Sequence, residues 1–119
     1  MTETTNQQNE IIYFAHSMSD YGTEWEKEVL NLLGEKHPFS RIINPANIII
    51  GEEDQHIRPY GEGFEYLEKK YYYPWIDKAE IVYVAKAFNH KRMRGYYTLG
   101  VAKEKEYAEK IGKTIREIW

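Results

Sequence analysis

Residues 11–15, Ile-Ile-Tyr-Phe-Ala, are apolar without interruption and rich in β-formers, the pattern of a strand buried on both faces of a parallel sheet. The polar, turn-rich stretch His16–Gly22 ends that strand. Thr23 with Glu26 three residues on then forms a capping-box pattern for a helix over 24–33. Trp25, Val29, Leu32 and Leu33 recur on one face of that helix, and Gly34 is its expected stop. A second strand is read over 41–44 and is closed by Pro45, which has no N–H to give to a ladder. Ile48, Ile49 and Ile50 form either a short edge strand or the buried anchor of a loop. The polar stretch 51–63, with its acidic run Glu52-Glu53-Asp54, is long for a connection and reads as a functional lid.

From Glu62 the pattern turns helical: Phe64, Leu67, Tyr71 and Trp75 are spaced by three and four, with Pro74 expected to break or kink the helix. Glu80-Ile81-Val82-Tyr83-Val84-Ala85 is the next strand, a basic segment Lys86–Arg94 follows it, and a last helix over 98–111 ends at Gly112. Residues 114–118 make the final strand. Strands that alternate with helices call for an α/β fold: a mostly parallel sheet of four to five strands covered by helices on both faces. In such sheets ligands sit beyond the carboxyl ends of the strands, so the loops after residues 15, 44 and 85 and the start of the last helix should converge on one site.

The 119 residues suit one domain over 11–119, preceded by a short disordered leader over 1–10. That leader lacks the basic start and apolar centre of a signal peptide, which predicts a cytoplasmic protein. No apolar run approaches the roughly 18–20 residues that span a bilayer, so no membrane insertion is expected. With 16 Lys+Arg against 19 Asp+Glu, the net charge of −3 argues against general nucleic-acid binding. The absence of cysteine removes thiol nucleophiles and Cys-ligated metals. His16, His37, His56 and His90 show no i, i+4 pair, so no metal is expected. Gly61-Glu62-Gly63 lacks the third glycine of a dinucleotide fingerprint, and nothing in the chain demands a cofactor.

Glu104 changes this picture. Val101, Glu104, Ala108 and Ile111 follow one another at helical spacing, so the carboxylate lies on the apolar stripe of the last helix near its start. A slightly rotated helix or a neighbouring cation would account for it structurally; a reactive carboxylate would account for it functionally.

The run Gly100-Val101-Ala102-Lys103-Glu104-Lys105-Glu106-Tyr107-Ala108, closing with Gly112-Lys113, resembles the C-terminal signature of the nucleoside 2-deoxyribosyltransferase superfamily. That signature has a Gly-Thr-Ala-x-Glu start, a Tyr-Ala centre and a Gly-Lys-Pro end. Ile76–Val82 is similar to the family's approach to its central strand, and Ile12–Met18 to its first strand and substrate loop. The resemblance implies a Rossmann-like (flavodoxin-like) domain, a nucleoside or nucleotide ligand and a homodimer or larger homo-oligomer. It also implies that Glu104 is the nucleophile of an N-glycosidase or deoxyribosyltransferase. Three positions depart from the pattern: Val101 replaces Thr, Glu80 replaces Asp, and the basic Asn89–Gly95 replaces an acidic loop. These departures leave open a non-catalytic protein that binds a nucleotide or nucleotide-derived signal in the same pocket.

The chemistry suits a carboxylate, because cleaving an N-glycosidic bond builds positive charge at the anomeric carbon that an anion below the ring stabilises or captures. Asp77 is a candidate for base protonation or positioning, and equally a solvated residue before a strand. His16 and Ser17, with Ser19, stand in the turn before a helix, where they would hold a phosphate or sugar hydroxyl or simply shape the turn. Tyr13 points either into the site or into the core, and Gly100 belongs to the substrate-binding motif. Arg92 and Arg94 offer bidentate contacts to a phosphate, which would favour nucleotides; a solvated basic loop is the alternative. Tyr71-Tyr72-Tyr73 and Tyr96-Tyr97 exceed what a small core needs and suggest base stacking or, for most, an oligomer interface.

Overall fold

The computed structural model describes residues 10–58 and 61–118, so the leader expected over 1–10 lies outside the described residues except for Glu10. Along the chain run β1 (Ile11–Ala15), α1 (Glu24–Lys36), β2 (Arg41–Ile43), α2 (Gly61–Leu67), a π-helical turn (Glu68–Tyr72), α3 (Tyr73–Lys78), β3 (Ile81–Ala85), α4 (Leu99–Lys110) and β4 (Thr114–Ile118). The strands form one sheet in the order β2-β1-β3-β4, every pair parallel. This is the predicted α/β architecture, Rossmann-like (flavodoxin-like), with four strands. No helix among the described residues is long and apolar enough to cross a membrane.

Alternation along β1 divides the core in two. Tyr13 and Ala15 face Ile76 and Ala79 at the end of α3 and Val101 and Ala108 of α4, whereas Ile12 and Phe14 face Val29 and Leu33 of α1. All five residues of β3 are buried, as a central strand covered on both sides requires. Each large aliphatic or aromatic side chain withdrawn from water here contributes about 1.5–3 kcal/mol.

Several elements differ from the sequence-based reading for identifiable reasons. Helix α1 runs through Gly34 to Lys36 and stops at His37, because Pro38 disfavours helical geometry in the residue before it. Strand β2 ends at Ile43, where the Asn44 carboxamide accepts from the Ala46 N–H and starts a 3-10 turn. Ile48, Ile49 and Ile50 form no strand: Ile48 packs on the core while Ile49 is 86% exposed, so the loop-anchor reading holds for Ile48 alone. Pro74 does not break the helix. The π-helical turn ahead of it absorbs the missing N–H, and the helical path continues from Gly61 to Lys78.

The described part of the stretch after Ile50 is tied to the helical segment that follows it. Asp54 is buried and accepts hydrogen bonds from Tyr66 Oη (3.1 Å), Lys70 Nζ (2.6 Å) and Tyr71 Oη (2.5 Å), which pins this segment to α2 and the π turn. The lysine and tyrosine donors hold its carboxyl below the usual range.

A second buried carboxylate joins the two loops at the strand ends. Asp20, fully buried after β1, accepts from the Phe88 N–H (3.0 Å), the Asn89 N–H (2.8 Å) and Asn89 Nδ2 (2.8 Å) in the loop after β3. Asp20→Ala strands those amides and is expected to cost about 2–4 kcal/mol in denaturant unfolding. A loss under 0.5 kcal/mol would show that the loops do not depend on this clasp.

Candidate functional site

Chain crossovers leave β1 toward β2 on one side and β3 lies on the other, so the crevice beyond β1 and β3 is the switch point of the sheet. A cavity of about 500 Å³ opens there, a size suited to a small organic ligand. The loop after β1 contributes His16, Ser17 and Tyr21; α2 and the π turn contribute Phe64, Glu68 and Tyr72; the start of α4 contributes Gly100, Val101 and Glu104.

Glu104 is buried between Val101 and Ala108 on the inner stripe of α4, where the spacing placed it, whereas Ile111 at the end of that stripe is exposed. Tyr13, fully buried on β1, donates from Oη to Glu104 Oε2 at 3.1 Å. Glu68 supplies a second buried carboxyl in the same cavity lining, and the charge of Glu104 bears on its proton. Two ionised carboxylates buried near one another repel, which favours a proton on the pair. Glu68 Oε1 is buried with no hydrogen-bond partner among the described residues.

Burial raises both carboxyls above their ordinary range. Glu68 rises further, because the charge of Glu104 adds to desolvation, while the bonds from Glu68 and Tyr13 favour the ionised form of Glu104. Buried side by side, the two carboxyls favour holding a proton between them over ionising together. Tyr13 and Tyr21 are pushed well above the phenol range, first by burial and then by Glu104, and so remain O–H donors.

The remaining predicted residues divide between those at the cavity and those away from it. His16 lines the cavity, but both ring nitrogens are engaged within the protein: Nδ1 donates to the Phe14 carbonyl (2.9 Å) and Nε2 shares a proton with Glu26 Oε2 (2.6 Å). Ser17 also lines it, and its hydroxyl caps the turn Met18–Asp20 by accepting from the Ser19 N–H. Gly100 is at the rim, where an added Cβ would meet only Phe64 at an ordinary 3.6 Å.

Arg92 and Arg94 do not line the cavity. Arg94 lies 4.7 Å over the Phe88 ring, and Arg92 is exposed and contributes its backbone N–H to a turn around His90. Asp77 is also away from it, exposed at the end of α3, where it accepts from Tyr107 Oη at 2.5 Å. A stacked pair with Tyr73 at 4.0 Å fixes Tyr107.

Glu68 escaped the sequence reading although its signal was present: it is four residues after Phe64 and three before Tyr71, on the stripe that spacing had already defined. Glu26 was read only as a helix-capping residue, and it also holds Gly22 N–H (3.0 Å) and His16. Of the surplus tyrosines, Tyr71 holds Asp54, Tyr72 lines the cavity and Tyr97 donates to Glu117, while Tyr96 is exposed.

Fold and site together define a parallel α/β protein whose switch-point cavity is lined by a pair of buried carboxyls. In comparisons with known proteins, no family model, no curated protein and no solved structure matches the chain.

The pair makes stability depend on pH in a defined direction. As pH rises past the ordinary value of 4.5 at which the unfolded chain releases these protons, the folded pair holds on to them, and it gives them up only at higher pH. Their contribution is therefore complete below that pH and is lost as pH rises through the elevated folded-state values. Glu68→Gln keeps a donor to Glu104 without a titrating proton. Chemical denaturation from pH 4 to 9 should show a shallower fall for the variant, and identical pH slopes would contradict the shared proton.

Proposed function

We propose that the protein cleaves the N-glycosidic bond of a nucleoside, as a hydrolase or as a transferase to a second base, with Glu104 as nucleophile. The single observation that carries this reading is the pair of buried carboxyls, Glu68 and Glu104, lining the cavity with Tyr13 donating to Glu104. The resemblance of residues 100–113 to the deoxyribosyltransferase signature supports the same role for Glu104.

In this mechanism Glu104 attacks the anomeric carbon as the bond to the base nitrogen breaks, and its oxygen forms a glycosyl ester. The electron pair of the broken bond stays on the base, which Glu68 protonates. Glu68, now a carboxylate, takes a proton from water or from an incoming base, and that nucleophile releases the sugar from Glu104. Tyr13 holds the Glu104 carboxylate in place throughout. Glu68 thus takes the acid role for which Asp77 was the candidate in the sequence. With Arg92 and Arg94 off the lining, the cavity better suits a nucleoside than a 5′-nucleotide. The cytoplasmic setting and homo-oligomeric assembly expected from the sequence belong to this reading.

Purified protein incubated with ribo- and deoxynucleosides is expected to release free base. Glu104→Gln should reduce that release by at least about 10³-fold while retaining nucleoside binding. Undiminished release by Glu104→Gln would overturn the nucleophile. Tight binding without release by the wild type would instead identify a recognition pocket that does not turn its ligand over.

A further inference from the structure

His90 sits in the loop after β3 and lines the same cavity, yet no part of the mechanism uses it. Its Nδ1 accepts two backbone hydrogen bonds, from the Arg92 N–H at 3.2 Å and the Met93 N–H at 3.1 Å. Backbone amides only donate, so Nδ1 carries no proton and the neutral ring carries it on Nε2. The turn therefore fixes the tautomer. A second set of contacts fixes the turn itself: Asp20 clasps Phe88 and Asn89 on one side, and Gly95 N–H bonds to the Ala87 carbonyl on the other.

Glu68 and Glu104 line the same cavity as His90. A ligand that meets them also meets a hydrogen-bond donor of fixed sense in the His90 loop. His16 offers no equivalent, since both of its nitrogens are engaged.

We propose that His90 is a specificity-determining residue that donates from Nε2 to an oxygen or nitrogen acceptor of the bound nucleoside. This rests on the nucleoside reading above and deepens it. The ligand class is a nucleoside with an acceptor on the side facing the loop after β3, either a sugar hydroxyl oxygen or a ring atom of the base. Loss of that acceptor leaves the Nε2–H unpaired on binding.

Two substitutions separate the functions of the ring. His90→Asn places a carboxamide oxygen where Nδ1 accepts from residues two and three ahead, which keeps the turn but removes the reach of Nε2. His90→Gln retains a donor at the distance of Nε2. The full-length protein would be titrated calorimetrically with inosine and adenosine and with their 3′-deoxy, 5′-deoxy and 7-deaza counterparts.

His90→Asn is expected to melt with the wild type and to bind its preferred nucleoside about tenfold more weakly. One counterpart should lose about the same factor with the wild type and nothing further with His90→Asn. His90→Gln should recover part of the affinity. Wild-type affinity of His90→Asn for every probe, or an equal loss across all of them, would overturn the proposal.

If His90→Asn binds normally while Glu104→Gln stops base release, this inference alone fails. Selective weakening in His90→Asn without base release by the wild type would overturn the catalytic reading and leave this one standing. No binding of any probe by the wild type would overturn both.

Discussion

Two carboxyl groups buried against one another are the constraint around which this molecule is arranged. Removing Glu68 and Glu104 from water while both are ionised would oppose folding twice, through desolvation and through like-charge repulsion at close range. A proton held by the pair removes that repulsion, and Tyr13 donates a hydrogen bond to Glu104. The result is a buried pair of carboxyls in unlike surroundings, only one of which takes a bond from Tyr13.

The fold supplies that asymmetry from three elements. Parallel β1 turns Tyr13 toward the face covered by α3 and α4 while Phe14 turns to the other face. Helix α4 starts beside the carboxyl end of β3 and carries Glu104 inward on a stripe that is otherwise apolar. The π-helical turn brings Glu68 to the cavity and accommodates Pro74 without a break, so one local irregularity both positions a reactive group and preserves the helix. Asp20 and Asp54 act away from the chemistry: one clasps the loops at the cavity mouth, and the other pins the segment after Ile50 that would otherwise be free.

Periodicity made most of the architecture legible. The continuous apolar runs of β1 and β3 and the spacing of α1 and α4 define the parallel sheet and its two covering layers, and the inward position of Glu104 follows from the same arithmetic. Proline and glycine were less decisive than their propensities imply. Gly34 remains helical until Pro38 stops the helix, and Pro74 is tolerated because the preceding turn widens. Half of the site was hidden for a related reason. Glu68 is readable on the stripe of Phe64 and Tyr71, but its partner is far along the chain, and only tertiary packing shows that two carboxyls meet. The basic residues misled because charge in a sequence carries no direction: Arg94 covers Phe88, and the residue of that segment that lines the cavity is His90.

The most direct test is a carbon-detected NMR titration of the glutamate side chains, with Glu68 and Glu104 assigned by substitution. At neutral pH the pair should hold a proton, with Glu68 neutral and ionising well above the ordinary carboxylate range and Glu104 responding to that event. Two carboxyls that both ionise below pH 5, without affecting one another, would contradict the shared proton and the acid–nucleophile assignment built on it.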